Sequence, residues 1–514
     1  MTASRSTACF NWILILALFA ATAAAGTPTA PTPPATFTEN ARPLGRIAPG
    51  ETFFPISLKV SADNAHVAYA AKDPKGMFAA LDDQRGPYCP GVAKGTPLIA
   101  GGSGPGKLHW AYIAFREQKK AQAVIDLQPE PLFDGVDALV FSPDGARWAY
   151  RAGISGKQAV VVNGTPQPAF DVIDIRTGPR FSPDGARLAY GALNGKAGCL
   201  VVDGKPMEID GTVESIVFSP DAKRLAYALK KGDRQTVVVD GRPGPAFQKV
   251  AQLTFSPDAA HFAYMALKEG TGWVALRDGE ELPGGDGVGT PLFSPDSRHL
   301  AYAAFKGKAW YMVRDGKKGL VFDQLGVSVF SPDSSRLAYM AQLKDKACMV
   351  VDDRMEPVYE SVGLPVFSPD SRQLAYRARQ ADKWLVVQNG RPHEARYDGL
   401  RRPVFSPDGS RLAYVAIQGK EMIMVVDQRA VSRHDSVTFP FFSPGGTHMV
   451  YAGCTRDQWR IYVDGTAGQT LFDATLKDEA ITFDGENHCR TIVLKMPGPE
   501  FLRLDVHIAG GTTP

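Results

Sequence analysis

The tetrapeptide Phe-Ser-Pro-Asp occurs eight times, beginning at Phe141, Phe181, Phe218, Phe255, Phe293, Phe330, Phe367 and Phe405. The steps between copies are 40, 37, 37, 38, 37, 37 and 38 residues. A ninth copy, Phe442-Ser443-Pro444-Gly445, follows 37 residues later with Gly in place of Asp. A fixed period in this range means an array of one supersecondary unit, since a unit this small cannot bury its own apolar face and must stack on copies of itself.

The unit beginning at Phe141 shows its parts. Leu139-Val140-Phe141 is a short apolar run. Ser142-Pro143-Asp144-Gly145 is a turn, with Pro presetting φ, Asp bonding nearby backbone and Gly tolerating positive φ. Arg147-Trp148-Ala149-Tyr150 alternates polar and apolar as a half-buried strand does. Ala159-Val160-Val161-Val162 is β-branched and ends in Asn163-Gly164, a hairpin signal. Ala169-Phe170-Asp171 closes the unit as a fourth short strand. The second strand ends in Tyr at 150, 190, 227, 264, 302, 339, 376, 414 and 451, and period-2 alternation places each Tyr on one face with the aliphatic residue two before it. That face is expected to fill the space between units. Worn copies run from Val60 to Tyr69, from Ser103 to Tyr112 and from Ile481 to Val493. The total is about twelve units of four strands, with no helical periodicity.

Four short antiparallel strands per unit, repeated many times, predict an all-β fold, a β-propeller. Phe181–Tyr190 and Phe405–Tyr414 resemble the Pro-Asp repeat of TolB-like, WD40-like β-propellers, whose blades also occur in prolyl-oligopeptidase-type enzymes. The resemblance covers roughly residues 55–495 and implies the fold; that family includes interaction scaffolds, accessory domains of enzymes and a few lyases. TolB-like propellers usually have six blades plus a separate domain. Twelve units are therefore expected to form two six-bladed rings in tandem, at 45–265 and 266–508, joined within 249–289. One large ring is the alternative; its wide channel is one that small side chains could not fill.

The N-terminus has the form of an export signal over residues 1–25. Arg5 precedes the apolar run Ile13–Phe19, and Ala23-Ala24-Ala25 offers a cleavage site before Gly26. The run is short for a membrane span. Residues 26–44, opening with a Pro/Thr-rich stretch, are expected to be a spacer. The expected location is the periplasm or the exterior, with no transmembrane segment once the signal is removed. A formal net charge of +3 is too weak to suggest nucleic acid. Cys89, Cys199, Cys348, Cys454 and Cys489 show no Cys-x-x-Cys, so no zinc site is expected. Cys199 and Cys348 hold equivalent places four units apart and read as small buried residues. Cys454 and Cys489 fall in the last two units and could form a disulfide.

Candidate chemistry is sparse. His66, His109, His261, His299 and His448 share one slot with Arg147, Arg187, Arg224, Arg336 and Arg411, and Arg does not bind metal, so an exposed polar position is expected there and no metal. Gly101–Lys107 approaches a phosphate loop, but Leu108 stands where Ser or Thr is needed, and no cofactor is expected. Asp134, Asp171, Asp323, Glu360, Asp398, Asp435 and Asp473 recur after the fourth strand, as a repeated structural hydrogen bond would require. Lys157, Lys196, Lys230, Lys231, Lys268, Lys306, Lys308, Lys344, Lys346, Lys383 and Lys420 all fall in loops between second and third strands, on one rim. A basic rim could steer an acidic protein, lipopolysaccharide or a polyanionic glycan. Trp273, Trp310, Trp384 and Trp459 begin third strands near that rim, where they could stack on sugars or pack between blades. No Gly-x-Ser-x-Gly or His-Glu-x-x-His is present. The expectation is an exported, non-enzymatic scaffold that binds a protein or envelope polymer. The alternatives are a lyase or glycan hydrolase acting over a ring axis, with the irregular loop Asp171–Arg176 as its lead, or a carbohydrate-binding module.

Overall fold

The structure is a computed structural model that describes residues 35–101, 108–476 and 481–509. The expected signal peptide, residues 26–34 of the expected spacer and most of the glycine-rich loop lie outside the described residues. The chain is all-β: among the described residues there are twelve small antiparallel sheets and two short 3-10 turns, Pro55–Ser57 and Glu117–Lys119. Blades 1 to 11 occupy 52–85, 91–129, 135–166, 172–209, 212–247, 249–285, 287–322, 324–355, 361–392, 399–434 and 436–467. Blade 12 is built from 474–508 together with the N-terminal strand Phe37–Arg46.

The alternation in Leu-Ala-Tyr decides how blades stack. Leu188, Tyr190 and Ala192 of blade 4 pack against Ala149 and Val160 of blade 3, while Ala189 and Leu200 face Tyr227 and Val238 of blade 5. Each blade thus turns a large face to its predecessor and a small face to its successor. The tyrosine face does fill the space between units, as expected. The phenol of Tyr69, pushed up to about 12 by burial, serves packing and not acid–base chemistry near neutrality.

The sheets form a single ring, a twelve-bladed propeller. Blade 6 meets blade 7 through Met265, Tyr302 and Tyr311 in the same way as any other pair, so no junction exists at 249–289. Blade 12 in turn packs on blade 1 through Leu476, Ile492, Phe501, Val67 and Tyr69. The larger-ring alternative replaces the two six-bladed rings. Ring closure also corrects the spacer: Phe37–Arg46 pairs with Glu500–Ile508 as the outermost strand of blade 12, from Phe37 opposite Ile508 to Arg46 opposite Glu500. The two ends of the described chain therefore share one sheet.

First strands are the inner edges. Those of neighbouring blades approach one another closely, as at blades 1–2, 5–6 and 9–10, whereas fourth strands are mostly exposed and stand apart. A groove of about 380 Å³ is lined by the first strands of three successive blades, through Val140, Phe181 and Val217 among others, which is possible only on the side facing the axis. Twelve sheets packed about 10 Å apart make a ring about 38 Å across at mid-blade, and four strands at about 4.8 Å leave roughly 24 Å between opposite inner backbones. On that spacing the ring has an opening at its axis.

Candidate functional site

Most polar groups of the repeat are consumed by holding the ring. In the Phe-Ser-Pro-Asp turn the Ser is fully buried, and its hydroxyl donates to the Asp while accepting a backbone N–H five residues on, as in Ser182 with Asp184 and Arg187. The His/Arg slot is also structural, and more engaged than an exposed polar position. In the units cited next its partner is the Asp of the turn that follows the third strand. His66, His261 and His448 lie 2.6, 2.7 and 2.7 Å from Asp82, Asp278 and Asp464, and Arg224 lies 2.8 Å from Asp240.

Where the slot is Arg, the guanidinium also reaches the next blade. Arg224 sits over the Phe255 ring at 5.0 Å and donates to the carbonyls of Ala259 and Ala260. In blades 6 and 7, where the slot is His261 and His299, an Arg at the end of the third strand takes over. Arg277 covers Phe293 and bonds Arg298, and Arg314 covers Phe330 and bonds Ser335. Two sequence positions thus supply one staple between blades.

The recurring carboxylates are the repeated structural hydrogen bond expected of them. Asp134, Asp171, Asp323, Glu360, Asp398, Asp435 and Asp473 accept the N–H of Ser155, Gly195, Lys344, Ala381, Gly419, Arg456 and Met496 at 2.6–2.9 Å. Those backbone bonds, with Lys157 and Lys383 beside them, hold Asp171 and Asp398 below the usual carboxylate range. They stay ionised near neutrality and are poor general acids.

Two of these carboxylates, with Glu281 and Asp210, dilute the basic rim. Lys157 pairs with Asp171 at 3.3 Å, Lys268 with Glu281 at 2.8 Å, Lys383 with Asp398 at 2.5 Å, and Lys231 with Asp210. Among the described residues, Lys196, Lys230, Lys306, Lys308, Lys344, Lys346 and Lys420 form no ion pair and are exposed. The tryptophans are all half-buried and packed. Trp310 stacks on Phe305 at 4.6 Å, and the Arg377 guanidinium lies 4.8 Å over Trp384. Trp273 and Trp459 lie against the cores between blades 6 and 7 and between blades 11 and 12.

Cys454 and Cys489 are free, buried thiols. Cys454 lies near the end of its second strand, opposite Trp459, while Cys489 lies at the start of the next, opposite Phe483. Their places in the repeat differ by five residues, about 16 Å along a strand, so the disulfide that the sequence left possible does not form. Cys199 and Cys348 are buried at equivalent places, opposite Ala192 and Ala341. Among the described residues no group of three or more His, Cys, Asp or Glu could hold a metal ion, and no helix is long and apolar enough to cross a membrane.

What the repeat does not consume is the wall of the opening. Inner strands there leave their partners and return. In blades 7, 9, 10 and 11 the last bonded N–H belongs to Gly289, Gly363, Arg401 and Thr438. One free position follows (Thr290, Leu364, Arg402, Phe439), then a proline (Pro291, Pro365, Pro403, Pro440), and the strand resumes. A proline needs no hydrogen-bond acceptor at the point where the ladder is broken. In blades 1, 2, 4 and 11 the hydroxyls of Ser57, Thr96, Thr177 and Thr438 accept second-strand N–H groups beside the detour, from Ala70, Ile113, Gly191 and Ala452. The loop Asp171–Arg176 belongs to this wall. Its carboxylate and guanidinium bond each other, and Arg176 also reaches Glu214 at 2.9 Å, which leaves no free acid–base pair. The wall was missed in the sequence, although the proline two residues before each Phe was its signal.

No known family matches the chain, and no curated protein sequence matches it. Among solved structures it is similar to a eukaryotic initiation factor at 13% identity, covering 70% of this chain and 94% of that one, with a TM-score of 0.31. It is similar to TolB from Acinetobacter baumannii at 16% identity, covering 55% and 77%, with a TM-score of 0.23. It is also similar to the β-propeller domain of the Trilobed protease from Pyrococcus furiosus at 11% identity, covering 58% and 95%, with a TM-score of 0.26.

Proposed function

We propose that this chain is an exported, non-enzymatic β-propeller scaffold that binds a protein or an envelope polymer. The observation that carries the proposal is the spending of the repeated polar groups. Histidines, arginines and carboxylates that could have formed a reactive constellation are tied pairwise into turns and blade contacts. Surface variety is left in two places, the exposed lysines of one rim and the wall of the opening. Export follows from the charged and apolar pattern of residues 1–25. The lysines act as exposed charges screened by salt, so they favour encounter with an acidic partner more than tight binding.

The test is affinity capture from envelope extract with the chain from Gly26 onward, at low and at high salt, read by mass spectrometry. A stoichiometric partner released by salt is expected. Absence of any stoichiometric protein or polymer at both salt concentrations refutes the proposal.

A further inference from the structure

We infer that the inner wall at blades 9–11 binds an extended peptide segment in which one carboxylate is flanked, two residues to either side, by apolar side chains. The inference rests on the scaffold function proposed above and names the chemistry by which a protein partner is recognised.

Leu364, Arg402 and Phe439 hold the same place in three successive blades, between the last bonded residue of the inner strand and its proline. Equivalent places in a ring lie at one height. Leu364 and Phe439 are large apolar side chains left 40% and 43% exposed. Arg402, between them, is half-buried and makes no hydrogen bond or ion pair among the described residues. Its neighbour Arg401 is engaged: it donates to the Val437 carbonyl at 2.8 Å and lies 5.4 Å over the Phe439 ring. Burial pushes both arginines below their ordinary range, and no carboxylate among the described residues offsets it. A half-buried cation that no acid among the described residues compensates is complementary to an incoming carboxylate.

Spacing favours an extended chain. Inner strands at roughly 24 Å across, divided among twelve blades, stand about 6 Å apart, and same-face side chains of an extended peptide repeat at about 6.8 Å. A peptide running along the wall therefore places side chains i, i+2 and i+4 over blades 9, 10 and 11. A carboxylate at i+2 meets Arg402, and apolar groups at i and i+4 cover Leu364 and Phe439.

The probe is the dye-labelled peptide Ser-Leu-Ser-Glu-Ser-Leu-Ser, titrated with the chain from Gly26 onward and followed by fluorescence anisotropy. Saturable binding is expected, weakened roughly tenfold or more by Arg402→Gln and by replacing the peptide Glu with Gln. Phe439→Ser, a second variant on a side chain exposed to the opening, is expected to weaken it as well. No saturable binding, or equal binding by wild type and Arg402→Gln, overturns the inference. Capture of an envelope partner equally well by wild type and Arg402→Gln also overturns it while leaving the scaffold function standing.

Discussion

The ninth turn lacks its Asp, and the structure shows what stands in. Glu486 of blade 12 reaches back to blade 11, where it accepts the Ser443 hydroxyl at 2.5 Å and the N–H groups of Gly445 and Thr447 at 2.6 and 3.1 Å. These are the duties of Asp408 in the preceding turn, which holds Ser406 and Ser410. Glu486→Ala leaves the O–H of the fully buried Ser443 without its acceptor, although its oxygen still accepts the His448 N–H, whereas the two exposed turn residues can turn to water. One buried, charge-assisted bond lost is about 2 kcal/mol, or about thirtyfold faster amide exchange where opening is local. Hydrogen exchange followed on peptides covering 443–449 and 481–490 reads it directly.

The decisive variant is Gly445→Asp. A Cβ at Gly445 stands 2.8 Å from a Glu486 carboxylate oxygen, so the new carboxylate destabilises the wild type by crowding and like charge. In the Glu486→Ala background the same change restores the standard turn and stabilises. Gly445→Asp therefore changes sign between backgrounds, with a coupling in the range of about 0.5–3 kcal/mol. Equal effects in both backgrounds refute the substitution of Glu486 for the missing Asp. The pH dependence has a fixed sense. Burial works to raise the Glu486 carboxyl, but the bonds from Ser443, Thr447 and Gly445 outweigh it and hold it low. Its stabilisation is complete above the ordinary carboxylate range and is lost as pH falls through the depressed value, so wild type and Glu486→Ala converge in acid.

Arg277→Ala in blade 6 is expected to cost about 1–2 kcal/mol, as Arg224→Ala does in blade 5, with His261→Arg restoring most of the loss; thermal melts of the single and double variants check this, and failure of the rescue refutes the shared staple. Thr177→Val keeps the shape of a fully buried side chain but leaves the Gly191 N–H without its acceptor, which costs about 1–3 kcal/mol and is measured by urea denaturation. Deleting Phe37–Arg46 strips the outermost strand from blade 12 and bares the edge of Glu500–Ile508. Association in light scattering and a lower melting temperature are expected, and an unchanged monomer refutes closure by that strand.

The repeat was legible because each of its parts has a local cause. Pro and Asp set the first turn, Asp-Gly or Asn-Gly sets the second, and Leu-Ala-Tyr alternation sets the packing face; all three appear where the residues place them. Closure was not legible, since Phe37–Arg46 carries no repeat motif and its partner strand lies at the far end of the chain. Ring size was misjudged for a physical reason. A wide opening was discounted because Ala, Val and Ser could not fill it, yet the inner edges finish themselves with prolines and Ser/Thr hydroxyls. The staple was half visible: the interchange of His and Arg in one slot could be read, but its compensation by Arg277 and Arg314 on another strand needed the geometry.

Those finished inner edges also bear on where binding can evolve in such a ring. Twelve blades need about 30° at each interface, half of what six would need, so a large face can meet a small one with little wedge. Tyr190 against Ala149 is one such contact, and the pattern returns around the ring. The turn Ser and Asp, the slot His or Arg and the corner carboxylate are each bound to a neighbour, and replacing any of them loosens a blade. The residue before the inner-strand proline has no part in these repeated bonds. It is Thr290, Leu364, Arg402 or Phe439 in four blades that are otherwise alike, while the proline after it is present in all four. A position outside the repeated turns and staples can change its chemistry at little cost to the ring, and of the four only Phe439 carries a guanidinium of the preceding blade, that of Arg401. The scaffold thereby confines its variation to the surface that a threaded or docked chain would meet.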